Sequence, residues 1–180
     1  MFRRLLIANR GEVAARIALT ARKMGIETVA VVSTADAGAA WLADATEVVC
    51  IGGPRATDSY LDADALIEVG RHTGCSAVHP GWGFLSENAA FANRCLAAGL
   101  TFVGPDPTHL RQMGDKALAR DTMKAYGLDP IPGVDGFLPD LETARREAAR
   151  IGYPVLLKAV AGGGGRGMRA VNSEDELANA

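Results

Sequence analysis

The strongest constraint on the fold is a regular alternation of short apolar runs with amphipathic segments of helical length. Residues 4–9 form the first apolar run, and residues 11–24 follow with apolar side chains at helical spacing until Gly25. Residues 28–33 are nearly all apolar, as expected of a parallel strand covered on both faces. Further strands are predicted at residues 47–51, 77–79 and 101–103, and further helices at 62–73 and 87–98, the last capped by Ser86. This order predicts an α/β fold whose first domain is a Rossmann-like parallel sheet with right-handed crossovers.

The pattern changes after residue 104. Residues 108–126 are predicted to be helical with an interruption at Gly114, and residues 127–139 are rich in proline, glycine and aspartate, which indicates a linker. A second unit then begins, with a helix at 141–151 and strands at 155–159 and 169–171 around a glycine-rich loop. Residues 173–176, SEDE, form a predicted capping box that opens another helix. Because no stop signal precedes residue 180, we expect this second unit to be incomplete.

Charge and cysteine content exclude several classes of protein. The formal net charge of −2 argues against nucleic acid or an anionic membrane as the main partner, since either would require a basic excess. No apolar run approaches the roughly 20 residues needed to span a bilayer. Cys50, Cys75 and Cys95 show no C-x-x-C spacing and are predicted to be reduced core residues of a cytoplasmic protein.

The most unusual stretch is AGGGGRGM at residues 161–168. Successive glycines cost conformational entropy, and the amide N–H groups of such a loop can bind phosphate oxygens. Lys158 lies at the end of an apolar strand, where an anionic ligand would partner its charge, and Arg166 adds a second cation. The alternatives are a plain hairpin turn and a lysine that extends along the surface to water.

Two familiar phosphate motifs are absent from the sequence. No Gly-Lys-Ser/Thr ending marks a P-loop, and no G-x-G-x-x-G follows the first strand. Asp36 follows the second strand, roughly where an acid that binds ribose would stand. Without the glycines, a loop or cap aspartate is the favoured interpretation.

Several stretches together resemble the N-terminal part of biotin carboxylases, the ATP-dependent component of biotin-dependent carboxylases such as acetyl-CoA carboxylase. The resemblance runs in order from residue 3 to about residue 178 and is most specific at residues 79–88, HPGWGFLSEN, and around Lys158 with the glycines. The other stretches are IANRGEVAARI at 7–17, FVGP at 102–105, MGDK at 113–116 and GYPVLLKA at 152–159.

The resemblance implies a fold and a nucleotide site. The fold would be a Rossmann-like pre-ATP-grasp domain at residues 1–112, a helix and linker at 113–139, and the start of an ATP-grasp lid subdomain, α+β and incomplete, at 140–180. In it, Lys116 and Lys158 would contact the phosphates of ATP, Gly164 and Gly165 would belong to a closing glycine loop, and Met168 would line the adenine side.

The resemblance also implies the reaction. Biotin carboxylases use ATP and bicarbonate to form carboxyphosphate, and then carboxylate a ureido nitrogen of biotin held on a carrier protein. Trp82 and Gly83 would touch the biotin ring system, whereas His79 is better explained as a brace for its loop. The ligands of Mg²⁺ and the catalytic residues would lie beyond residue 180, so that residues 1–180 alone would be inactive.

The expected partners are a biotin carboxyl carrier protein or domain, a carboxyltransferase, and a second copy of the chain contacted through Arg16 and Lys23. A role in fatty acid biosynthesis would follow from the acetyl-CoA carboxylase resemblance. Two alternatives stay open: another ATP-grasp ligase of the carbamoyl-phosphate synthase type, and a non-catalytic dimerisation or binding fragment.

Overall fold

The computed structural model describes residues 2–134, 136–159 and 167–180. The chain divides into two compact units, Met1–Gly114 and Asp115–Ala180. The predicted Gly164, Gly165 and Arg166 lie outside the described residues.

A parallel sheet of five strands forms the centre of the first unit. Its strands, in the order β3-β2-β1-β4-β5, are β1 (Arg4–Ile7), β2 (Glu27–Ser33), β3 (Glu47–Gly52), β4 (Ala77–His79) and β5 (Thr101–Phe102). Each neighbouring pair is parallel. The α/β class and the Rossmann-like parallel sheet predicted from the alternating pattern are therefore confirmed.

Four α-helices accompany this sheet in the described part of the first unit: α1 (Gly11–Lys23), α2 (Ala63–His72), α3 (Ala89–Ala97) and α4 (Pro107–Gly114). Asp62 caps α2 by accepting hydrogen bonds from the backbone N–H groups of Asp64 and Ala65. The prediction that Ser86 caps the third helix is wrong, because α3 begins only at Ala89. Ser86 lies before it, in a turn where its N–H donates to the Gly83 carbonyl. Asn88 caps α3 instead, its Oδ1 accepting from the Phe91 N–H at 2.9 Å.

Alternate residues of the central strands enter the core on opposite faces of the sheet. On one face Leu6 packs in a cluster with Leu66 of α2 and Phe91 of α3. On the other face Ile7 packs with Ala14 and Ala18 of α1. Each large apolar side chain buried in this way contributes about 1.5–3 kcal/mol to folding. This double coverage explains why the strands are nearly continuous apolar runs.

The cysteine prediction is partly wrong. Cys75 and Cys95 are buried, as expected, but Cys50 is exposed. Cys50 lies on β3, an edge strand, and alternates there with Val49 and Ile51, which pack toward the core. Its side chain therefore lies on the face of the edge strand that the core does not cover.

The second unit contains α5 (Lys116–Ala125), α6 (Leu141–Ile151), an antiparallel pair β6 (Val155–Lys158) and β7 (Met168–Val171), and α7 (Glu174–Leu177). The interruption at Gly114 is confirmed, because α4 ends there and Asp115 caps α5. Ala148, Val171 and Leu177 form a small core. No helix of the described chain is long and apolar enough to cross a membrane.

The capping box predicted at residues 173–176 is not formed. Ser173 precedes α7 but makes no side-chain capping hydrogen bond. Glu176 accepts instead from the backbone N–H and the side-chain amide of Asn172. The helix thus begins at the predicted residue, but Glu176 bonds to Asn172 and not to Ser173.

Candidate functional site

The strand order changes direction at β1, which lies between β2 and β4. The loops that follow β1 and β4 therefore leave the same carboxyl edge of the sheet next to one another, and the Ala8 N–H donates to the His79 carbonyl at 2.9 Å. Such a switch point is where open α/β sheets bind ligands. At this switch point the residues that follow β1 contact the segment 79–88, which we call the HPGWGF loop after its first six residues.

Asn9 joins these two loops. Its Nδ2 donates to the Pro80 carbonyl at 2.6 Å and to the Trp82 carbonyl at 2.9 Å, while its Oδ1 accepts from the Arg10 N–H at 2.9 Å. The side chain is 2% exposed, so its polar atoms need these partners. The sequence does not predict this role, for which the only local signal is a polar residue directly after a buried strand.

Gly81 lies against the same asparagine. Its φ of +65° is in the left-handed region, and a Cβ at this position would stand 2.4 Å from Val13 Cγ1 and 2.8 Å from Asn9 Nδ2. Neither a strained backbone nor this close approach suits any residue with a side chain. Gly81 is therefore required for the loop to lie on α1 and Asn9.

His79 braces the loop from within. Its Nδ1 lies 3.0 Å from the Gly81 N–H, and since an amide can only donate, this ring nitrogen is the acceptor. Burial lowers the pKa of His79, which favours the neutral ring that this bond requires. The geometry fits the bracing role predicted for this residue.

A second cluster of polar side chains surrounds Asp36. Its Oδ2 accepts from Tyr60 Oη at 2.6 Å and from Ser33 Oγ at 3.1 Å, and Arg10 Nη1 lies 3.1 Å away. These donors satisfy the carboxylate locally, which fits the interpretation of Asp36 as a loop aspartate.

Tyr60, which belongs to no recognised sequence motif, links the polar cluster around Asp36 to the HPGWGF loop. It is 1% exposed, and its Oη also accepts from the Ser33 N–H at 2.9 Å. Burial, with the bond to Asp36, raises the pKa of the Tyr60 hydroxyl. Its ring stacks on Phe84 with centroids 5.2 Å apart, and the Arg10 guanidinium lies 5.7 Å from its centroid.

Trp82 and Gly83 stand at the outer end of this braced loop. The Trp82 side chain is 70% exposed although the carbonyl of the same residue is held by Asn9. A Cβ at Gly83 would meet no atom within 4 Å. The indole of Trp82 and the backbone at Gly83 are thus open to solvent.

Two of the residues predicted to bind ATP are brought together in the second unit. Lys158 and Met168 are direct partners across the antiparallel pair, and both are exposed. Beyond them the Ala159 N–H donates to the Gly167 carbonyl at 2.7 Å. Gly167 has φ +70°, and a Cβ there would lie 2.8 Å from the Ala159 Cβ, so this position also requires glycine.

Lys116 is the first residue of α5, directly after the capping Asp115, and is exposed. Within the described residues, no group of three or more histidines, cysteines, aspartates or glutamates could hold a metal ion. The described part of the second unit thus contains two exposed lysines predicted to bind ATP, Lys116 and Lys158.

Comparison with known proteins covers nearly the whole chain. Residues 1–110 match the family model described as the biotin carboxylase N-terminal domain, and residues 115–180 match the ATP-binding domain of the carbamoyl-phosphate synthase L chain. The boundary between the two matches falls where the two compact units divide.

Among curated proteins, the chain is 53% identical over 178 residues to the biotin carboxylase of Pseudomonas aeruginosa, covering 98% of this chain and 40% of that protein. It is 49% identical over 174 residues to the mitochondrial methylcrotonoyl-CoA carboxylase subunit alpha of Oryza sativa, covering 97% of this chain and 24% of that protein. The chain thus spans well under half the length of these relatives.

Among solved structures, a biotin carboxylase complex with β,γ-ATP from Campylobacter jejuni has a TM-score of 0.91 at 44% identity, covering 98% of this chain and 40% of that one. The biotin carboxylase domain dimer of the Hydrogenobacter thermophilus 2-oxoglutarate carboxylase, solved with MgADP, ADP and bicarbonate, has a TM-score of 0.90 at 45% identity, covering 99% and 39%.

Proposed function

The chain belongs to the biotin carboxylase family, and from this premise we propose that it forms the N-terminal part of an enzyme that carboxylates biotin with ATP and bicarbonate. In this proposal residues 1–112 are the pre-ATP-grasp domain, residues 113–139 a helix and linker, and residues 140–180 the beginning of the lid subdomain. The main supporting observation is that Lys158, the last residue of β6, lies directly opposite Met168, the first residue of β7. This pair offers a cation and an apolar side chain next to the glycine-rich segment.

The role proposed for Lys158 and Lys116 is to neutralise and position the phosphates of ATP. Phosphoryl transfer requires little from a protein beyond positioning and charge stabilisation. Lys158 meets the first requirement because its backbone is fixed by pairing with β7, and the second because its side chain is exposed. Gly164 and Gly165 would enclose the phosphates, and Met168 would contact the adenine.

Mg²⁺, when bound with ATP, would supply positive charge that stabilises the transferred phosphoryl group. The described residues hold no cluster of acidic side chains suited to it. We therefore assign its ligands, and the groups that act on bicarbonate, to other parts of the complete protein, since the relatives are more than twice as long.

Biotin is the second proposed substrate, presented on a carrier protein. Trp82 offers a flat apolar face to the fused rings of biotin, and Gly83 allows close approach of the backbone. Arg16 and Lys23 on α1 are proposed to contribute to a homodimer interface. A carboxyltransferase would then take the carboxyl group from biotin.

The proposal is tested by nucleotide binding and turnover. In the complete protein that contains these residues, Lys158→Met should weaken ATP binding about ten- to a hundredfold, because a charged hydrogen bond of about 1.5–3 kcal/mol is lost. Lys158→Arg, which keeps the charge, is the matched control and should retain most of the affinity. Equal ATP affinity in both variants would exclude the phosphate role of Lys158.

Activity separates the proposed function from its alternatives. Bicarbonate-dependent ATP hydrolysis that biotin stimulates supports a biotin carboxylase, whereas ATP-dependent formation of carbamoyl phosphate would support the other ligase. ATP binding without turnover by the complete protein would support a binding module. Residues 1–180 alone are expected to give no bicarbonate-dependent hydrolysis, and hydrolysis by them would contradict the assignment of catalytic groups to other parts of the protein.

A further inference from the structure

Phe84 in the HPGWGF loop adopts an unfavourable backbone conformation. Its φ is +43°, and among the described residues no other non-glycine has a positive φ. A bulky residue in the left-handed region is a genuine outlier and persists only where its surroundings impose it. Because Phe84 is 37% exposed, burial in the core is not sufficient to explain why this conformation is kept.

The stack on Tyr60 provides the restraint. The two rings are nearly parallel, at 19°, with centroids 5.2 Å apart. Tyr60 is itself fixed, since its hydroxyl donates to Asp36 at 2.6 Å and accepts from the Ser33 N–H at the end of β2 at 2.9 Å. The loop is thereby tied on one side to the end of a buried strand.

Asn9 ties the loop on the other side. It holds the Pro80 and Trp82 carbonyls, and Gly81 packs against it. The backbone between residues 80 and 84 is therefore held at both ends, while the indole of Trp82 remains 70% exposed. Restraints on the backbone of an exposed aromatic residue are typical of a preorganised binding site.

We propose that Phe84 and Tyr60 form a positioning pair that holds the HPGWGF loop so that Trp82 is preorganised for the biotin ring system. This inference rests on the proposed function, because it takes biotin as the ligand of Trp82. Neither member of the pair contacts the substrate. Their effect is transmitted through the backbone of residues 82–84.

The mobility of Trp82 tests the pair without any reference to activity. Trp41→Phe leaves Trp82 as the single tryptophan of residues 1–180, whose fluorescence anisotropy decay reports nanosecond motion. In that background Phe84→Leu removes the aromatic stack, and Phe84→Tyr keeps it. We expect faster depolarisation of Trp82 in Phe84→Leu and an unchanged decay in Phe84→Tyr. Identical decays in both variants would overturn the inference.

Tyr60→Phe provides an independent variant, because it removes the hydroxyl bond to Asp36 and leaves the ring. It should increase the mobility of Trp82 less than Phe84→Leu does. Because Phe84 is partly exposed, Phe84→Leu should fold, and the urea midpoint of each variant is measured alongside. A larger effect of Tyr60→Phe than of Phe84→Leu, at equal urea midpoints, would argue against stacking as the restraint.

Steady-state kinetics of the complete protein with free biotin test the consequence. Phe84→Leu should raise the KM for biotin up to about tenfold, because a freed side chain must be ordered on binding. The KM for ATP should not change, and Phe84→Tyr should restore the KM for biotin.

Trp82→Ala distinguishes the two possible failures. If Trp82→Ala raises the KM for biotin and Phe84→Leu does not, the positioning pair is refuted and the proposed function stands. If neither variant changes the KM for biotin, the proposed contact of Trp82 with biotin is wrong, and the inference fails with it.

Discussion

Gly81→Ala should destabilise the first unit more than an alanine substitution at a glycine that has a similar φ but open surroundings. The new Cβ would stand 2.4 Å from Val13 Cγ1 and 2.8 Å from Asn9 Nδ2, at a φ of +65°. The left-handed backbone costs about 1–2 kcal/mol for a residue with a side chain. Overpacking against Val13 and Asn9 adds about 1–3 kcal/mol, for a total of about 2–5 kcal/mol.

Gly74→Ala is the matched control. Gly74 has a φ of +70°, and a Cβ there would meet no atom within 4 Å, so that only the backbone cost of about 1–2 kcal/mol applies. The difference between the two variants isolates the overlap with Val13 and Asn9. It should be about 1–3 kcal/mol in the free energy of unfolding.

Urea unfolding followed by tryptophan fluorescence measures this difference. Both tryptophans of residues 1–180, Trp41 and Trp82, lie in the first unit, so the signal reports on that unit. With a slope of about 1–3 kcal/mol/M, a difference of about 2 kcal/mol separates the two midpoints by about 1 M. Equal shifts of the midpoint in Gly81→Ala and Gly74→Ala would refute the close approach of the loop to Asn9 and α1.

Three further predictions follow from caps, burial and charge. Asn88→Ala should cost about 1 kcal/mol of stability by removing the cap of α3, whereas Ser86→Ala should change it by less than about 0.5 kcal/mol in the same urea assay. Cys50 should react with Ellman's reagent in the folded protein, whereas the buried Cys75 and Cys95 should react only after unfolding, since burial raises the pKa of both thiols, that of Cys95 to about 11. Reaction of all three thiols at the same rate in the folded protein would contradict the fold. Because burial lowers the pKa of His79 in the folded state, the unfolded chain binds the proton first as the pH falls below about 6.5, and the free energy of unfolding should decrease there. His79→Asn should weaken this pH dependence of stability, measured as the urea midpoint from pH 7 to 5.

Much of the architecture was predictable because it depends on near neighbours in the chain. The alternation of apolar runs and helical periodicity gave the strands of the first unit, and Asp62 and the helix at Leu141–Ile151 stand where local patterns indicate. The resemblance of residues 79–88 and of the block around Lys158 was equally local. The roles of Lys116, Lys158, Met168, Trp82 and Gly83 stay predictions.

Local patterns failed where two elements meet or where a turn intervenes. Ser86 and Asn88 are equally good capping residues by type, and only the turn closed by Gly83 and Ser86 decided which one precedes α3. Cys50 has the same apolar neighbours as a core cysteine, and only the strand order made its strand an edge. The prediction that Cys50 lies in the core was wrong because β3 is covered on one face only.

The sequence by itself determined the fold class, the family and the residues that form the HPGWGF loop, because these depend on the order and spacing of residue types. Only the tertiary structure decided that Asn9 holds a loop 71 residues away and that Tyr60 connects Asp36 to Phe84. Such contacts arise where parallel strands from distant parts of the chain end at one edge of the sheet. No local propensity specifies which polar groups will meet there, since each is satisfied by a partner that folding alone brings near.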